Sequence, residues 1–125
     1  MGVQESPELH AYLGFLDLRE AKVESAKAHF ERALDIATDR LDALYTIVDL
    51  CLSESFAGAV RPYAEQMLPL ASSAIASDPG NPDLYAMRAA AYSAVGESAL
   101  AERDRATQGS LLGWWEEPET SAAAP

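Results

Sequence analysis

The sequence predicts an all-α fold, and three observations support that prediction. Apolar residues recur at three- and four-residue steps along most of the chain, which is the spacing of one face of a helix. Short polar turns separate these stretches and divide them into pairs of similar length. Between turns, apolar and polar residues do not alternate in the way that predicts a half-buried strand.

The first three helices are predicted over 7–20, 23–37 and 41–54. Ser6 has a side chain suited to capping a helix, and the fixed backbone angle of Pro7 suits a first turn. A short polar run separates the second helix from the third. These signals predict a chain that begins with a helical hairpin.

The remaining helices are predicted over 61–77, 82–95 and 97–112. Residues 53–61 break the apolar pattern, and we expect them to be the least regular stretch inside the domain. Phe56 in this stretch either packs back onto the helices or stands free. The second half of the chain therefore completes three hairpins.

Length and charge restrict the class of protein. The 125 residues suffice for one domain with a continuous core. A net charge of −11 repels phosphate backbones, so nucleic acid is not expected as a partner, whereas basic or amphipathic peptides are. The same acidity can also serve solubility alone. With no long apolar run and no secretory signal, we expect a cytoplasmic protein that binds no membrane.

Residues for catalysis or metal binding are scarce. Cys51 is the single cysteine, and His10 and His29 are the only histidines. A serine or cysteine nucleophile needs a nearby base, and metal-binding helices place histidines at short helical spacing. We expect Cys51 and His10 in the core and His29 facing solvent. The sequence thus predicts no catalytic residue, no metal site and no cofactor.

Residues of the first two predicted helices follow a repeat signature. Leu13 and Gly14 are followed by Ala26, Phe30 and Ala33 at the spacing of the tetratricopeptide repeat. The chain resembles that family over residues 7–108. In the family, the small residue of the first helix allows the second helix to approach closely.

Further copies of the repeat follow less regularly. Ile47 stands 34 residues after Leu13, and 34 residues is the tetratricopeptide period. The second copy departs from the pattern because Val48 replaces a small residue and its return helix comes late. It regains the usual ending at Ala74, Asp78 and Pro79. The third copy is carried by Tyr85, Ala89, Tyr92, Gly96, Ala99 and Ala106.

The resemblance implies three antiparallel helix hairpins, stacked as a short right-handed superhelix over residues 7–115. An extension over 1–6 precedes this domain, and a flexible acidic tail over 116–125 follows it. Arrays of this kind need capping at their ends, and a C-terminal apolar set either caps the array or stays exposed to dock a partner. This set is Leu111, Leu112, Trp114 and Trp115. A six-helix bundle without superhelical stacking is the alternative fold.

In the resembled family, the first helix of each repeat lines a concave face, which implies a partner-binding groove. Its predicted residues are Phe15, Leu18, Arg19, Asp42, Tyr45, Asp49, Leu52 and Asp83. The apolar members are expected to form a partly exposed strip with the aspartates beside it. Alternatively, several of them turn inward and pack.

Because the resemblance to the family implies a partner-binding groove, it also implies that the chain is an interaction adaptor. Some relatives hold the acidic tails of heat-shock chaperones with a clamp of lysine, asparagine and arginine. That clamp is absent, because the matching positions hold Ala11, Phe15, Thr46, Asp83 and Met87. A basic or amphipathic segment is therefore the expected partner. Two alternatives stay open: a homodimer formed through the C-terminal leucines and tryptophans, and a small three-repeat chaperone of bacterial secretion systems.

Overall fold

The computed structural model describes residues 5–52 and 56–113. Within these ranges the chain forms six α-helices and no strand, which confirms the all-α prediction. The helices are α1 (Pro7–Arg19), α2 (Val23–Ile36), α3 (Arg40–Leu52), α4 (Ala57–Ser77), α5 (Pro82–Ala94) and α6 (Ser98–Leu112).

Side-chain caps help to fix the starts of α1 and α5. Ser6 Oγ accepts a hydrogen bond from the backbone N–H of Leu9 at 3.0 Å, and Pro7 occupies the first turn of α1. Asn81 Oδ1 accepts a hydrogen bond from the backbone N–H of Asp83 at 3.0 Å at the start of α5. In both helices a proline follows the capping residue, and the start at Ser6 and Pro7 is the one that the sequence predicts.

Tight turns close the first and third hairpins. Gly96 lies between α5 and α6 with φ of +85°, a left-handed conformation that glycine adopts without steric cost. Ala21 takes a similar conformation between α1 and α2, with φ of +62°. Because each turn reverses the chain within a few residues, the two helices of these hairpins run antiparallel.

The second hairpin differs from its predicted form. α4 begins at Ala57, so the expected irregular stretch over 53–61 is wrong for residues 57–61, and residues 53–55 lie outside the described ranges. The physical reason is a buried stripe at helical spacing that starts before residue 61. Its members, each with no exposed surface, are Val60, Ala64, Met67 and Ala71.

The hairpins stack on one another in chain order. α1 packs against α2 and α3, α3 against α4 and α5, and α5 against α4 and α6. α1, α3 and α5 therefore form a row, as in a helical repeat. The core between the hairpins contains Phe30, Leu44, Ile47, Val48, Cys51, Val60 and Met67.

Gly14 allows α1 and α2 to approach closely. A Cβ atom added at Gly14 would lie 2.5 Å from Cε1 of Phe30, whose side chain is buried. Ala26 and Ala33, one turn before and after Phe30, have no exposed surface. Leu13, the residue that precedes Gly14 in the repeat signature, is only half-buried.

Candidate functional site

The part of the predicted apolar strip that lies on α1 is not exposed. Phe15 and Leu18 have only 8% and 9% of their surface accessible, so this part of the prediction is wrong. The ring of Phe56, which directly precedes α4, packs edge-on against Phe15 with centroids 6.2 Å apart. Arg19 is exposed, and its guanidinium lies 5.9 Å from the centroid of the Phe15 ring. Phe56 thus packs back onto the helices and helps to bury Phe15.

The remaining half of the strip lines a cavity of about 490 Å³ between α3, α5 and α6. Tyr45, Asp49 and Leu52 come together here because they follow one another at four- and three-residue steps on α3. Tyr45 and Leu52 are half-buried, and Asp49 is exposed. The other lining residues are Ala86, Ala89, Ala90, Arg105 and Gln108. We refer to this space as the α3–α5–α6 cavity.

The walls of the cavity carry opposite charges. Burial raises the pKa of the Tyr45 hydroxyl, and the nearby carboxylates of Asp49 and Asp83 raise it further. On α6, the guanidinium of Arg105 donates a hydrogen bond to Ser93 Oγ at 2.8 Å. The cavity therefore has an acidic wall on α3 and a basic side chain opposite on α6.

Arg105 and Gln108 are functional candidates that the sequence reasoning missed. The groove was predicted from the first helix of each hairpin alone, and α6 is a second helix. The sequence does contain a pattern that could have identified them, because Ala101, Arg105 and Gln108 follow one another at helical steps. In the structure Ala101 is fully buried. That pattern identifies the inward edge of α6.

Two predicted aspartates lie outside the cavity lining. Asp42 is exposed and lines a separate cavity of about 190 Å³ beside the start of α1 and the turn between α2 and α3. Asp83 is exposed in the first turn of α5, from where its charge acts on Tyr45. The structure thus brings together three of the eight predicted groove residues and places Asp83 near them.

The predicted C-terminal set is described only in part. Leu111 and Leu112 end α6 with 44% and 45% of their surface exposed. The other two members, Trp114 and Trp115, lie outside the described residues. The two leucines are an apolar pair accessible at the end of the array.

The two histidines meet across the first hairpin. The Nδ1 atoms of His10 and His29 lie 3.1 Å apart, and His10 Nε2 lies 2.8 Å from Glu5 Oε1. His10 is half-buried rather than in the core as expected, and His29 is also half-buried, with its ring turned toward His10. Side-chain spacing within one helix could not reveal this pair, because the contact depends on how α1 packs against α2.

Cys51 is placed as expected. Its side chain is fully buried, and burial raises the pKa of the thiol to about 12. In the parts of the chain that the structure describes, no three or more His, Cys, Asp or Glu side chains are grouped to hold a metal ion. None of the helices described is long and apolar enough to cross a membrane.

No protein-family model matches this sequence, and no curated protein matches it significantly. The resemblance to tetratricopeptide repeats therefore rests on residue spacing in the sequence alone.

Proposed function

We propose that this chain is a tetratricopeptide-type adaptor that binds a basic, amphipathic helical segment of another protein in the α3–α5–α6 cavity. The observation that carries the proposal is the cavity itself, in which a half-buried tyrosine and an exposed aspartate flank a floor of alanines. Pockets with aromatic anchors and a charged rim are typical of interaction sites.

Packing in the first hairpin supports the family assignment. Gly14 meets Phe30 at a distance that leaves no room for a Cβ atom, and Ala26 and Ala33 are fully buried beside it. Small residues at these positions are what the repeat uses to bring its two helices together. The row formed by α1, α3 and α5 is also the arrangement that a repeat array requires.

The cavity floor favours an apolar helix face. Ala86, Ala89 and Ala90 present small side chains on α5, and Leu52 adds apolar surface from α3. A bound helix can insert large side chains at three- and four-residue spacing into such a shallow floor. Tyr45 then serves as the aromatic anchor at one side.

Charge determines which amphipathic helix fits. Asp49 lies on the rim, and Asp83 is close enough to act on Tyr45, so lysine or arginine side chains of a partner gain favourable contacts there. Arg105 on the opposite wall attracts the carbonyl end of a bound helix. The two walls together give the partner a preferred direction.

Binding without catalysis agrees with the chemistry of the described side chains. Cys51 is fully buried with its pKa raised to about 12, which makes it a poor nucleophile. A single cysteine of this kind is also compatible with a reducing compartment, and we propose that the adaptor acts in the cytoplasm.

The proposal is tested with two fluorescein-labelled peptides that share one leucine pattern, one carrying lysines and the other glutamates on the polar face. In anisotropy titrations, the lysine peptide should bind and the glutamate peptide should not. Tyr45→Ala should weaken binding by about 1–2 kcal/mol, roughly 5- to 30-fold. Asp49→Asn should chiefly reduce the sensitivity of binding to salt.

Tyr12→Ala is the matched control, because Tyr12 is 50% exposed and does not line the cavity. Its affinity for the lysine peptide should equal that of the unsubstituted protein. Arg105→Gln should weaken binding of the same peptide, since it removes the contact with the carbonyl end of the bound helix. Equal losses in Tyr12→Ala and Tyr45→Ala would reject the cavity as the binding site.

The exposed Leu111 and Leu112 favour a second candidate, self-association through the end of α6. Light scattering after size exclusion should then show a dimer that Leu111→Ser with Leu112→Ser converts to a monomer. If the dimer had a Kd of 1 µM, most of the protein would be dimeric at about 100 µM. A monomer at every concentration up to that value would therefore reject this candidate.

A further inference from the structure

His10 and His29 meet across the first hairpin, away from the α3–α5–α6 cavity. His10 lies on α1 and His29 on α2, and their side chains are 14% and 32% exposed. Their Nδ1 atoms lie 3.1 Å apart, which is within the range of a hydrogen bond. Because the sequence contains only these two histidines, the pair holds every imidazole of the chain.

A hydrogen bond between two Nδ1 atoms limits the number of protons that the pair can carry. One Nδ1 has to donate a hydrogen, and the other has to accept it with a lone pair. A neutral pair and a pair with one added proton both meet this condition, whichever ring is the donor. A pair with two added protons does not, because both nitrogens of an imidazolium carry hydrogen. The contact between His10 and His29 therefore requires at least one neutral ring.

Two carboxylates lie at the outer nitrogens of the pair. Glu5 Oε1 lies 2.8 Å from His10 Nε2, and Asp17 Oδ2 lies 3.8 Å from His29 Nε2. His10 Nε2 donates to Glu5, because an ionised carboxylate only accepts hydrogen bonds. Among the charged residues that the structure describes, Glu5 and Asp17 are the two that contact the rings. One positive charge on the pair thus lies between two negative charges.

Further contacts connect the same carboxylates to α2. Arg32 donates hydrogen bonds to Glu5 from Nε at 2.8 Å and from Nη2 at 3.1 Å, and Ser25 Oγ donates one to Asp17 Oδ2. Two carboxylates and one guanidinium leave one negative charge unbalanced, and a single proton on the histidine pair neutralises it. A second proton gives the cluster a net positive charge and brings two cations into contact.

We propose that the hydrogen bond between His10 and His29 is an acid-sensitive latch, which holds α1 against α2 and opens when both rings are protonated. Two imidazolium groups cannot share a hydrogen, and they repel each other at this distance. Imidazole side chains ordinarily titrate near pH 6.5, so the latch responds between about pH 7 and pH 5. The latch acts on the first hairpin and does not depend on the function proposed for the α3–α5–α6 cavity.

Acidification should therefore destabilise the folded protein. Below about pH 6.5 the unfolded chain binds a proton on each histidine, whereas the latched protein binds one proton fewer. A deficit of one proton raises the equilibrium constant of unfolding by up to about 10-fold for each unit by which the pH falls. The hydrogen bond from Arg32 is the main cause that lowers the pKa of Glu5 to about 2, so Glu5 stays ionised throughout this range.

The test is a series of urea melts of the full chain between pH 7.5 and pH 5.0, with His29→Gln as the matched variant. In the unsubstituted protein, the equilibrium constant of unfolding should rise about 10-fold between pH 6.0 and pH 5.0. A glutamine amide donates to or accepts from His10 Nδ1 without adding a second charge, so His29→Gln should show no such rise. An equal rise in both proteins would overturn the proposal, and so would a constant that does not change with pH in the unsubstituted protein.

A second measurement needs no variant. An N–H···N hydrogen bond couples the nuclear spins of its two nitrogens, so ¹⁵N spectra at pH 7.5 should show a coupling between the Nδ1 atoms of His10 and His29. This coupling should disappear by pH 5.0, below the range in which imidazoles ordinarily titrate. A coupling that persists at pH 5.0, or its absence at pH 7.5, would overturn the proposal.

Discussion

Replacing Gly14 by alanine tests the contact that joins α1 to α2. The added methyl group would lie 2.5, 2.7 and 3.0 Å from three carbons of the Phe30 ring. Real Cβ atoms do not approach other carbons so closely, so the ring or the helix has to move. Phe30 cannot move freely, because it is 1% exposed and packs edge-on against Tyr63 with centroids 5.5 Å apart.

Two opposing effects determine the size of the change. Alanine stabilises a helix interior by about 1 kcal/mol relative to glycine. Overpacking a core costs about 1–3 kcal/mol, and the confined ring places this site at the upper end. We therefore expect Gly14→Ala to lower the free energy of unfolding by about 2 kcal/mol. For a chain of this length that corresponds to a fall in Tm of roughly 8 °C.

Urea melts followed by circular dichroism measure this change. Gly58→Ala is the matched control, because Gly58 lies in α4 and a Cβ atom there meets nothing within 4 Å. It should be neutral or stabilising by up to about 1 kcal/mol. Combining Gly14→Ala with Phe30→Leu should recover at least about 1 kcal/mol relative to the sum of the single changes, since the smaller side chain makes room for the methyl group. If Gly14→Ala is as stable as Gly58→Ala, the close packing of the first hairpin is wrong.

Three further predictions concern charge and burial. Asp104→Ala should lower the free energy of unfolding by about 3 kcal/mol in urea melts. The reason is that buried Asp104 accepts hydrogen bonds from Nε and Nη2 of Arg88, both at 2.8 Å. A loss below about 1 kcal/mol would show that this ion pair contributes little to stability. Cys51 should react with a thiol reagent at pH 8 only as fast as the protein unfolds, because its side chain is buried and its pKa is raised to about 12; rapid labelling of the folded protein would contradict this. Glu5→Gln should destabilise the protein at neutral pH but not near pH 2. The hydrogen bond from Arg32 is the main cause that lowers the pKa of Glu5 from 4.5 to about 2, so the stabilisation is complete above pH 4.5 and disappears as the pH falls through about 2. Thermal melts of both proteins from pH 2 to pH 7 check this, and a pH-independent difference would refute it.

The helices were predictable because their signals are local. Capping at Ser6 and the apolar spacing within each helix depend only on neighbouring residues, and both reappear in the structure. The start of α4 was not predictable in the same way. Pro62 resembles a helix start, yet the buried stripe extends back to Val60, and tertiary packing of that residue outweighs the local signal.

Part of the candidate cavity was also predictable from the spacing of residues within one helix. Tyr45, Asp49 and Leu52 share one edge of a single helix, so their proximity follows from helix geometry. The exposure of Phe15 was mispredicted because it depends on Phe56, a residue from another hairpin. Periodicity indicates which side of a helix carries apolar residues but does not indicate which other segment covers them.

The net charge of the chain and the charged side chains of the cavity affect binding in different ways. The net charge of −11 predicts attraction of basic partners from a distance, and this bears on the rate of association. At physiological salt, however, charges are screened beyond about 8 Å, so contacts within the cavity depend on the groups that line it. Arg105 lines the cavity opposite Asp49, although the composition of the chain gives no indication of it. The overall acidity thus selects which partners approach, while these two side chains determine how a bound helix is oriented.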